Sequence, residues 1–359
     1  MVVRAKAPYS WHYLIMYKKY LFNFAVSFSG GGLKRLQEYA KWFHAAGGAG
    51  FIVQPNCAKL EKEYPNNRYY IVSQPRHQRL LNDCAYLRDV LSASGRPTLY
   101  YSYGIPVYRP TGVINWFHLS NVLPLQREAL PLDLGDRIAM TFLGWKITRN
   151  IRHADVVSAE SNYSLSLLPD ETRAKQALSV NGSDDELAYV LSATVAPKEE
   201  IATVLGTYRY KALIDSWHIF EMLRRLNPNL KLNIIGNEKL VPDFLRNRKN
   251  VQLLGLLPRA KVITMLHQSR YYISTTFIEN SYNAASEGVF CADESYISDI
   301  GPHRELLDKS IYQRINVPNV SRSIIHVCRK DATTTNLLTW HRVISDMIAR
   351  YEALVSQLR

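Results

Sequence analysis

Short apolar runs alternate with stretches in which apolar residues recur every three or four positions, and this alternation continues through most of the chain. Tyr20 to Phe28 (Y-L-F-N-F-A-V-S-F) predicts a buried strand that runs into Ser29-Gly30-Gly31-Gly32. Leu33 to His44 then predicts a helix with Leu36, Tyr39, Ala40 and Phe43 on one face. Phe51-Ile52-Val53 and Leu99 to Tyr103 read as strands. Between them, Arg79 to Ser92 reads as a helix with Leu80, Asp83, Cys84 and Leu87 at helical spacing. Gly112 to Asn121 is an apolar strand that closes on His118 and Asn121.

The second half repeats the pattern. Thr203 to Gly206 opens it as a strand, and Ala212 to Leu226 follows as a helix with Leu213, Trp217, Phe220 and Leu223 along its apolar face. Leu230 to Gly236 and Val251 to Gly255 predict two more strands, Pro258 to His267 a helix, Tyr271-Tyr272-Ile273 a buried strand, and Asn283 to Val289 the first turns of a helix. Thr339 to Leu358 is a long amphipathic helix with Val343, Met347, Tyr351, Leu354 and Leu358 in register. That stripe reads as core, and its mixed charges make a membrane-surface helix the secondary reading. Strands alternating with helices in this way argue for parallel sheets.

A chain of 359 residues that is 47% hydrophobic and 21% charged has material for two domains with separate cores and excludes a disordered chain. The four cysteines, Cys57, Cys84, Cys291 and Cys328, form no C-x-x-C pair, so the sequence suggests neither a zinc site nor a disulfide framework, and a reducing cytoplasm fits. No apolar run reaches the length of a membrane span, and Arg4, Lys6, Lys18 and Lys19 are not accompanied by a signal-peptide core. The net charge of +13 implies attraction to an anion: a phosphorylated substrate, an acidic lipid surface or nucleic acid. The cations are dispersed and no nucleic-acid module signature is present, so nucleic acid ranks last.

Candidate chemistry gathers where strands end. Glycines after the first strand permit close approach of backbone to a ligand, although a lone glycine triplet is more often a plain turn. Glu279 falls in a loop between a strand and a helix, and Glu287 inside that helix. A helix start such as Asn280-Ser281-Tyr282-Asn283 suits a diphosphate, and two carboxylates can accept from vicinal hydroxyls of a sugar or ribose. Alone, such a pair is more often solvated helix-face charge. His118, taken alone, is more often a satisfied core or rim residue. Arg209 and Lys211 at the mouth of a cleft would neutralise a leaving diphosphate; their bland reading is a solvated loop.

The segment E-N-S-Y-N-A-A-S-E-G (Glu279 to Gly288) resembles the E-x7-E motif of the retaining family 4 glycosyltransferases. Ser298-Asp299-Ile300-Gly301-Pro302-His303-Arg304-Glu305 resembles the strand and loop that follow it there. Arg149 to Leu168 resembles the last strand of that family's N-terminal domain and the helix after it, with Ser161 or Asn162 as N-cap. Asn181-Gly182-Ser183-Asp184 resembles the N-G-x-D turn at the entry to the second domain.

The resemblance implies an α/β protein of the GT-B type, in which two Rossmann-like, doubly wound parallel-sheet domains face each other across a cleft. Residues 1–175 would form the acceptor side, 176–336 the donor side and 337–359 a helix crossing back, with the linker between Pro169 and Ala196. It also implies roles. Glu279 would hold sugar hydroxyls, Glu287 the ribose, and Arg209 with Lys211 the leaving diphosphate. His118 would orient the donor sugar, with Asn121 beside it. Gly31 and Gly32 would admit the phosphates, Asn280, Ser281, Tyr282 and Asn283 would line the donor site, and Leu256 would border the base through its backbone. The family commonly carries an Arg directly after the glycine matched by Gly206; here Thr207 stands there and the cations fall at Arg209 and Lys211.

The implied reaction is transfer of a hexose-type sugar from a nucleoside-diphosphate donor to a hydroxyl with retention. Attack comes from the face that the phosphate leaves, without a protein nucleophile, cofactor or metal. The implied acceptor is a glycan or lipid-diphosphate-linked glycan of a surface polysaccharide such as O-antigen or lipopolysaccharide. The enzyme would be cytoplasmic or peripheral on the anionic inner membrane, drawn there by about 1 kcal/mol for each suitably placed cation. Two other readings stay open: a nucleotide-sugar hydrolase or epimerase of the same fold, and a non-catalytic glycan- or nucleotide-binding module.

Overall fold

Parallel strand pairing organises both halves of the chain in the computed structural model, which describes residues 19–27, 30–73, 83–126, 131–170, 172, 174–184, 198–332 and 337–358. The first sheet comprises β1 (Tyr20–Asn23), β2 (Gly50–Val53), β3 (Arg68–Ile71), β4 (Leu99–Tyr103), β5 (Ile114–Leu119), β6 (Val156–Ala159) and β7 (Lys175–Leu178). Its order is β3-β2-β1-β4-β5-β6-β7, parallel throughout. The second comprises β8 (Glu199–Leu205), β9 (Lys231–Ile235), β10 (Val251–Leu253), β11 (Ser269–Ser274), β12 (Glu294–Ser298), β13 (Gln313–Ile315) and β14 (Ile324–Cys328), in the order β10-β9-β8-β11-β12-β14-β13.

Within the parallel part of each sheet the order reverses once, between β1 and β4 in the first and between β8 and β11 in the second. In open α/β sheets the crevice outside the carboxyl ends of the strands at such a reversal is where ligands bind. The segments leaving β1, β8 and β11 carry Gly30 to Gly32, Arg209 to Lys211 and Glu279 to Asn283, so the topology alone sends the expected site residues to the two reversal points.

Element boundaries differ from the periodicity in instructive ways. β1 stops at Asn23 because Asn23 turns its side chain back, accepting from the Ala25 amide at 3.2 Å. The helix expected from Leu33 begins at Gly30. Of the helix expected over Arg79 to Ser92, residues 83–94 are helical and 79–82 lie outside the described residues, as does Ser29. The second sheet is not wholly parallel, since β14 runs antiparallel to both β12 and β13. The first sheet ends at Leu178 and the second starts at Glu199.

Packing fixes the helix that carries Glu287. Asn283–Cys291 lies on β11 so closely that a Cβ on Gly288 would stand 2.0 Å from the Tyr272 ring. The last helix, Trp340–Gln357, is capped by Thr339 and buries Trp340, Val343, Ile344, Met347 and Tyr351, leaving Leu358 exposed. It packs against the first half: Tyr351 meets Tyr20 edge-on at 5.4 Å and Glu352 pairs with Lys19 at 3.6 Å. Asp184 accepts from the Trp340 amide at 2.8 Å, which ties the entrance of the second half to the start of this helix.

A Gly288→Ala variant should lose about 1–3 kcal/mol of stability, the usual range for overpacking, because the new methyl must displace either the Tyr272 ring or the helix. Chemical denaturation measures it, and an unchanged midpoint would contradict the packing.

Candidate active site

The loops after β8 and β11 are knitted together before any side-chain chemistry is considered. Gly206 turns the chain at φ +87, a short 3-10 turn spans Arg209–Lys211, and Ala212 takes a left-handed conformation at φ 48 before the helix Leu213–Leu226. The Phe277 amide donates to the Tyr210 carbonyl at 2.7 Å, and the Thr275 hydroxyl to the Ala212 carbonyl at 2.8 Å. These bonds set Lys211 against Glu279, whose side chains form an ion pair and stay partly accessible, at 12% and 20%. Arg209 is exposed on the same turn.

Glu287 sits deeper, in the second turn of its helix, and binds the guanidinium of Arg259 from the helix Arg259–Gln268. Both acids of the E-x7-E segment therefore hold cations from neighbouring elements. Arg259 was missed by motif reading; the only available signal was a cation in the first turn of the helix after Pro258.

The first half faces this acidic pair through its glycine turn. A Cβ on Gly31 would stand 3.5 Å from the Asn283 Nδ2, so the two reversal points meet there. Gly32 packs into the fold instead: its Cβ would lie 3.1 Å from the Tyr103 ring and 3.2 Å from the Ser27 hydroxyl.

The expected loop residues divide. Asn280 crosses to the first half, where its Nδ2 donates to Glu160 at 2.8 Å and its carbonyl accepts from the Ser161 and Ser164 hydroxyls at 2.9 and 2.8 Å. The Ser281 hydroxyl accepts from the Asn283 amide, and Tyr282 is buried in the core. Asn121 serves its own turn, accepting from the Leu123 amide at 3.0 Å, and Leu256 projects into solvent after β10.

His118 lies beneath the cleft with no solvent exposure. It stacks on Tyr103 at 5.1 Å and its Nδ1 bonds the Ser158 hydroxyl at 2.8 Å. Its Nε2 stands 3.6 Å from the Glu160 carboxylate, which in turn lies 3.9 Å from the fully buried Arg35. Arg35 donates to the Ser179 and Val180 carbonyls at 2.8 and 2.9 Å and to Asn181 at 3.2 Å. Burial pushes His118 down to about 4, and Arg35 acts in the same direction against Glu160. Burial alone would raise Glu160, but His118 and Arg35 together hold it well below the usual carboxylate range. Neither Arg35 nor Glu160 was among the expected site residues. The signal for Arg35 was a cation one position from Leu36 on the helix face that carries Tyr39; for Glu160 it was an acid directly after an apolar strand.

His303 is also buried, donating from Nδ1 to the Ser298 carbonyl at 2.8 Å. Burial pushes it down to about 4 despite the pull of nearby Glu279. Of groups that could ligate a metal, Glu294, His326 and Cys328 bring their atoms within 4.8 Å of one another, among the described residues. They sit on β12 and β14, away from the β8/β11 reversal point.

No protein-family model matches the sequence, and no curated protein matches it significantly. Solved structures do match by shape. A sucrose-phosphate synthase from Thermosynechococcus elongatus superposes with a TM-score of 0.66 at 11% identity, covering 95% of this chain and 100% of that one. The Anabaena protein HepE, solved in complex with UDP-glucose, gives 0.56 at 15% identity over 84% of this chain and 86% of its own. WaaG, a glycosyltransferase involved in lipopolysaccharide biosynthesis, gives 0.57 at 12% identity over 79% and 82%. At these identities the likeness defines the fold. This chain has the GT-B fold, two Rossmann-like domains facing across a cleft.

Three buried histidines, His118, His267 and His303, are each pushed from 6.5 to about 4 by burial. Below pH 6.5 the unfolded chain binds these protons while the folded chain does not, so their contribution is complete above about 6.5 and is lost as the pH falls toward 4. Denaturant midpoints across that window should fall with acidity, and His118→Asn should flatten the slope. An identical slope in the variant would show that His118 titrates normally.

Proposed function

We propose that this protein is a retaining glycosyltransferase that moves a hexose-type sugar from a nucleoside-diphosphate sugar to a hydroxyl of a glycan or lipid-diphosphate-linked glycan in surface-polysaccharide synthesis. The observation that carries the reading is the Lys211–Glu279 pair, held at the β8/β11 reversal point while the helix start at Asn283 meets Gly31 of the first half. A cation, a carboxylate and a helix start lie together where a Rossmann-like sheet binds its ligand. Nucleotide-sugar chemistry is also that of the shape-matched HepE complex, which holds UDP-glucose.

The ion pair sets up an exchange. Separating a partly buried pair is costly when either charge is left without a partner. A nucleoside-diphosphate sugar supplies both replacements: its hydroxyls donate to Glu279 while its diphosphate takes Lys211. Arg209, exposed on the same turn, adds a second cation, and the N-terminal end of the helix Asn283–Cys291 adds a third positive element through its dipole. Positive charge at the diphosphate then grows in value as the glycosidic bond breaks and negative charge builds on the leaving oxygen. Glu287, oriented by Arg259, receives the ribose hydroxyls. Retention follows from attack on the face the phosphate leaves, with a phosphate oxygen taking the acceptor proton, so the chemistry asks for no protein nucleophile and no metal. His118, neutral and buried, acts from beneath by positioning the wall of the cleft through Ser158 and Glu160.

Thermal unfolding with UDP, GDP and dTDP tests the donor site: the true nucleotide at about a hundred times its Kd should add about 2.7 kcal/mol of apparent stability. Lys211→Ala should abolish most of that shift. Glu279→Ala should keep the nucleotide shift yet lower sugar transfer by about 10²–10³, the scale of losing one transition-state contact. Full transfer by Glu279→Ala refutes the assignment, and nucleotide release at a rate indifferent to acceptor would identify a hydrolase instead.

A further inference from the structure

The helix Leu134–Asn150, absent from the sequence pattern because its apolar residues fall on two faces, is half covered. Leu143, Gly144, Lys146 and Ile147 pack inward, and Gly144 lies so close to Pro124 that a Cβ would stand 2.2 Å from its carbonyl oxygen. On the opposite side Leu134, Ile138, Phe142 and Trp145 are exposed by 73%, 61%, 40% and 52%. Their spacings of four, four and three residues align them on one stripe. An apolar helix face open to water is unusual on a soluble surface and marks an interaction site.

The charges beside the stripe indicate what covers it. Residues 137–154 contain no acid but carry Arg137, Arg149 and Arg152 exposed, together with Lys146, which is buried. The Phe142 and Trp145 rings stack at 5.8 Å, with the Lys146 ammonium 5.0 Å over Phe142 and the Arg149 guanidinium 5.2 Å over Trp145. The acids Asp133 and Asp136 are confined to the other end, where Asp133 caps the helix. Lys146 is buried beneath Phe142, so the exposed charge beside the rings comes from Arg149 and Arg152, and apolar rings flanked by exposed arginines suit an interface whose interior is apolar and whose rim is anionic. A second copy of the chain would bring the same cations against each other.

We propose that this face docks on an anionic lipid surface. It deepens the proposed function by supplying the partner: the helix packs beside the turn Leu123–Leu125 that leaves β5 just after His118, so docking holds the carboxyl edge of the first sheet toward the membrane, where a lipid-diphosphate-linked acceptor resides. Among the described residues no helix is long and apolar enough to cross a membrane.

Co-sedimentation with vesicles of phosphatidylcholine alone and of phosphatidylcholine with phosphatidylglycerol tests the proposal. The protein should bind the anionic vesicles at low salt and leave the neutral ones free. Phe142→Ala with Trp145→Ala should weaken that binding at least tenfold. Arg149→Gln should weaken it about fivefold, the factor corresponding to about 1 kcal/mol per cation. All these side chains are exposed, so thermal unfolding and its shift by nucleotide should stay unchanged in the variants. Equal binding to neutral vesicles, equal binding by the double variant, or a dimer in sedimentation that the double variant dissolves would overturn it. Failure of the unaltered protein to bind anionic vesicles while its nucleotide shift is present refutes docking alone; absence of the nucleotide shift in the unaltered protein while it binds those vesicles refutes the catalytic reading alone.

Discussion

The loop that follows β11 is fastened to both halves of the molecule. Ile278 lies in the hydrophobic cluster of the first half with Leu119, Val157 and Leu165, and Phe277 and Tyr210 pack against that cluster. Two residues on, Asn280 reaches Glu160 and both serine hydroxyls of the Ser161 cap. Between these anchors Glu279 has little freedom: its carboxylate must face the cleft, where Lys211 meets it. The acid of the site is thus positioned by the domain interface as much as by its own domain.

A second clasp lies beside the first. Glu305 uses both carboxylate oxygens to accept from the Asn162 and Tyr163 amides at 2.7 Å, placing an anion from the second half on a helix start in the first. Gly301 lets the backbone approach, since a Cβ there would stand 2.5 Å from the Tyr163 ring. Any separation of the domains along this edge must break the Glu305 and Asn280 bonds together and return a carboxylate to water. The arrangement favours a closed cleft in which the Lys211–Glu279 pair stays partly accessible.

The sequence carried the fold because the signals involved are local. Period-two and period-3.6 patterns marked β4 to the residue, and the glycine turn and the E-x7-E segment marked the two loops that the strand order brings together. Three kinds of feature stayed hidden. The Leu134–Asn150 helix has apolar residues on two faces and so no single stripe to detect. β13 and β14 form an antiparallel edge at which the strand-helix alternation lapses. Partnerships such as Arg35 with Glu160, or Arg259 with Glu287, join residues far apart in sequence whose proximity only the tertiary structure decides.

Those hidden pairs have a common logic. A buried Arg without a partner is prohibitive, and Arg35 is satisfied chiefly by carbonyls at Ser179 and Val180, where the first sheet ends. Its charge is thus free to act on Glu160 without forming a tight pair, and Glu160 remains ionised beside the neutral His118. An ionised Glu160 is what gives Asn280 a strong acceptor across the interface. Protonating it would weaken that bond and, through Asn280, loosen Glu279. The cation on the helix after the glycine turn therefore reaches the loop of Glu279 in the opposite domain through two side chains, Glu160 and Asn280.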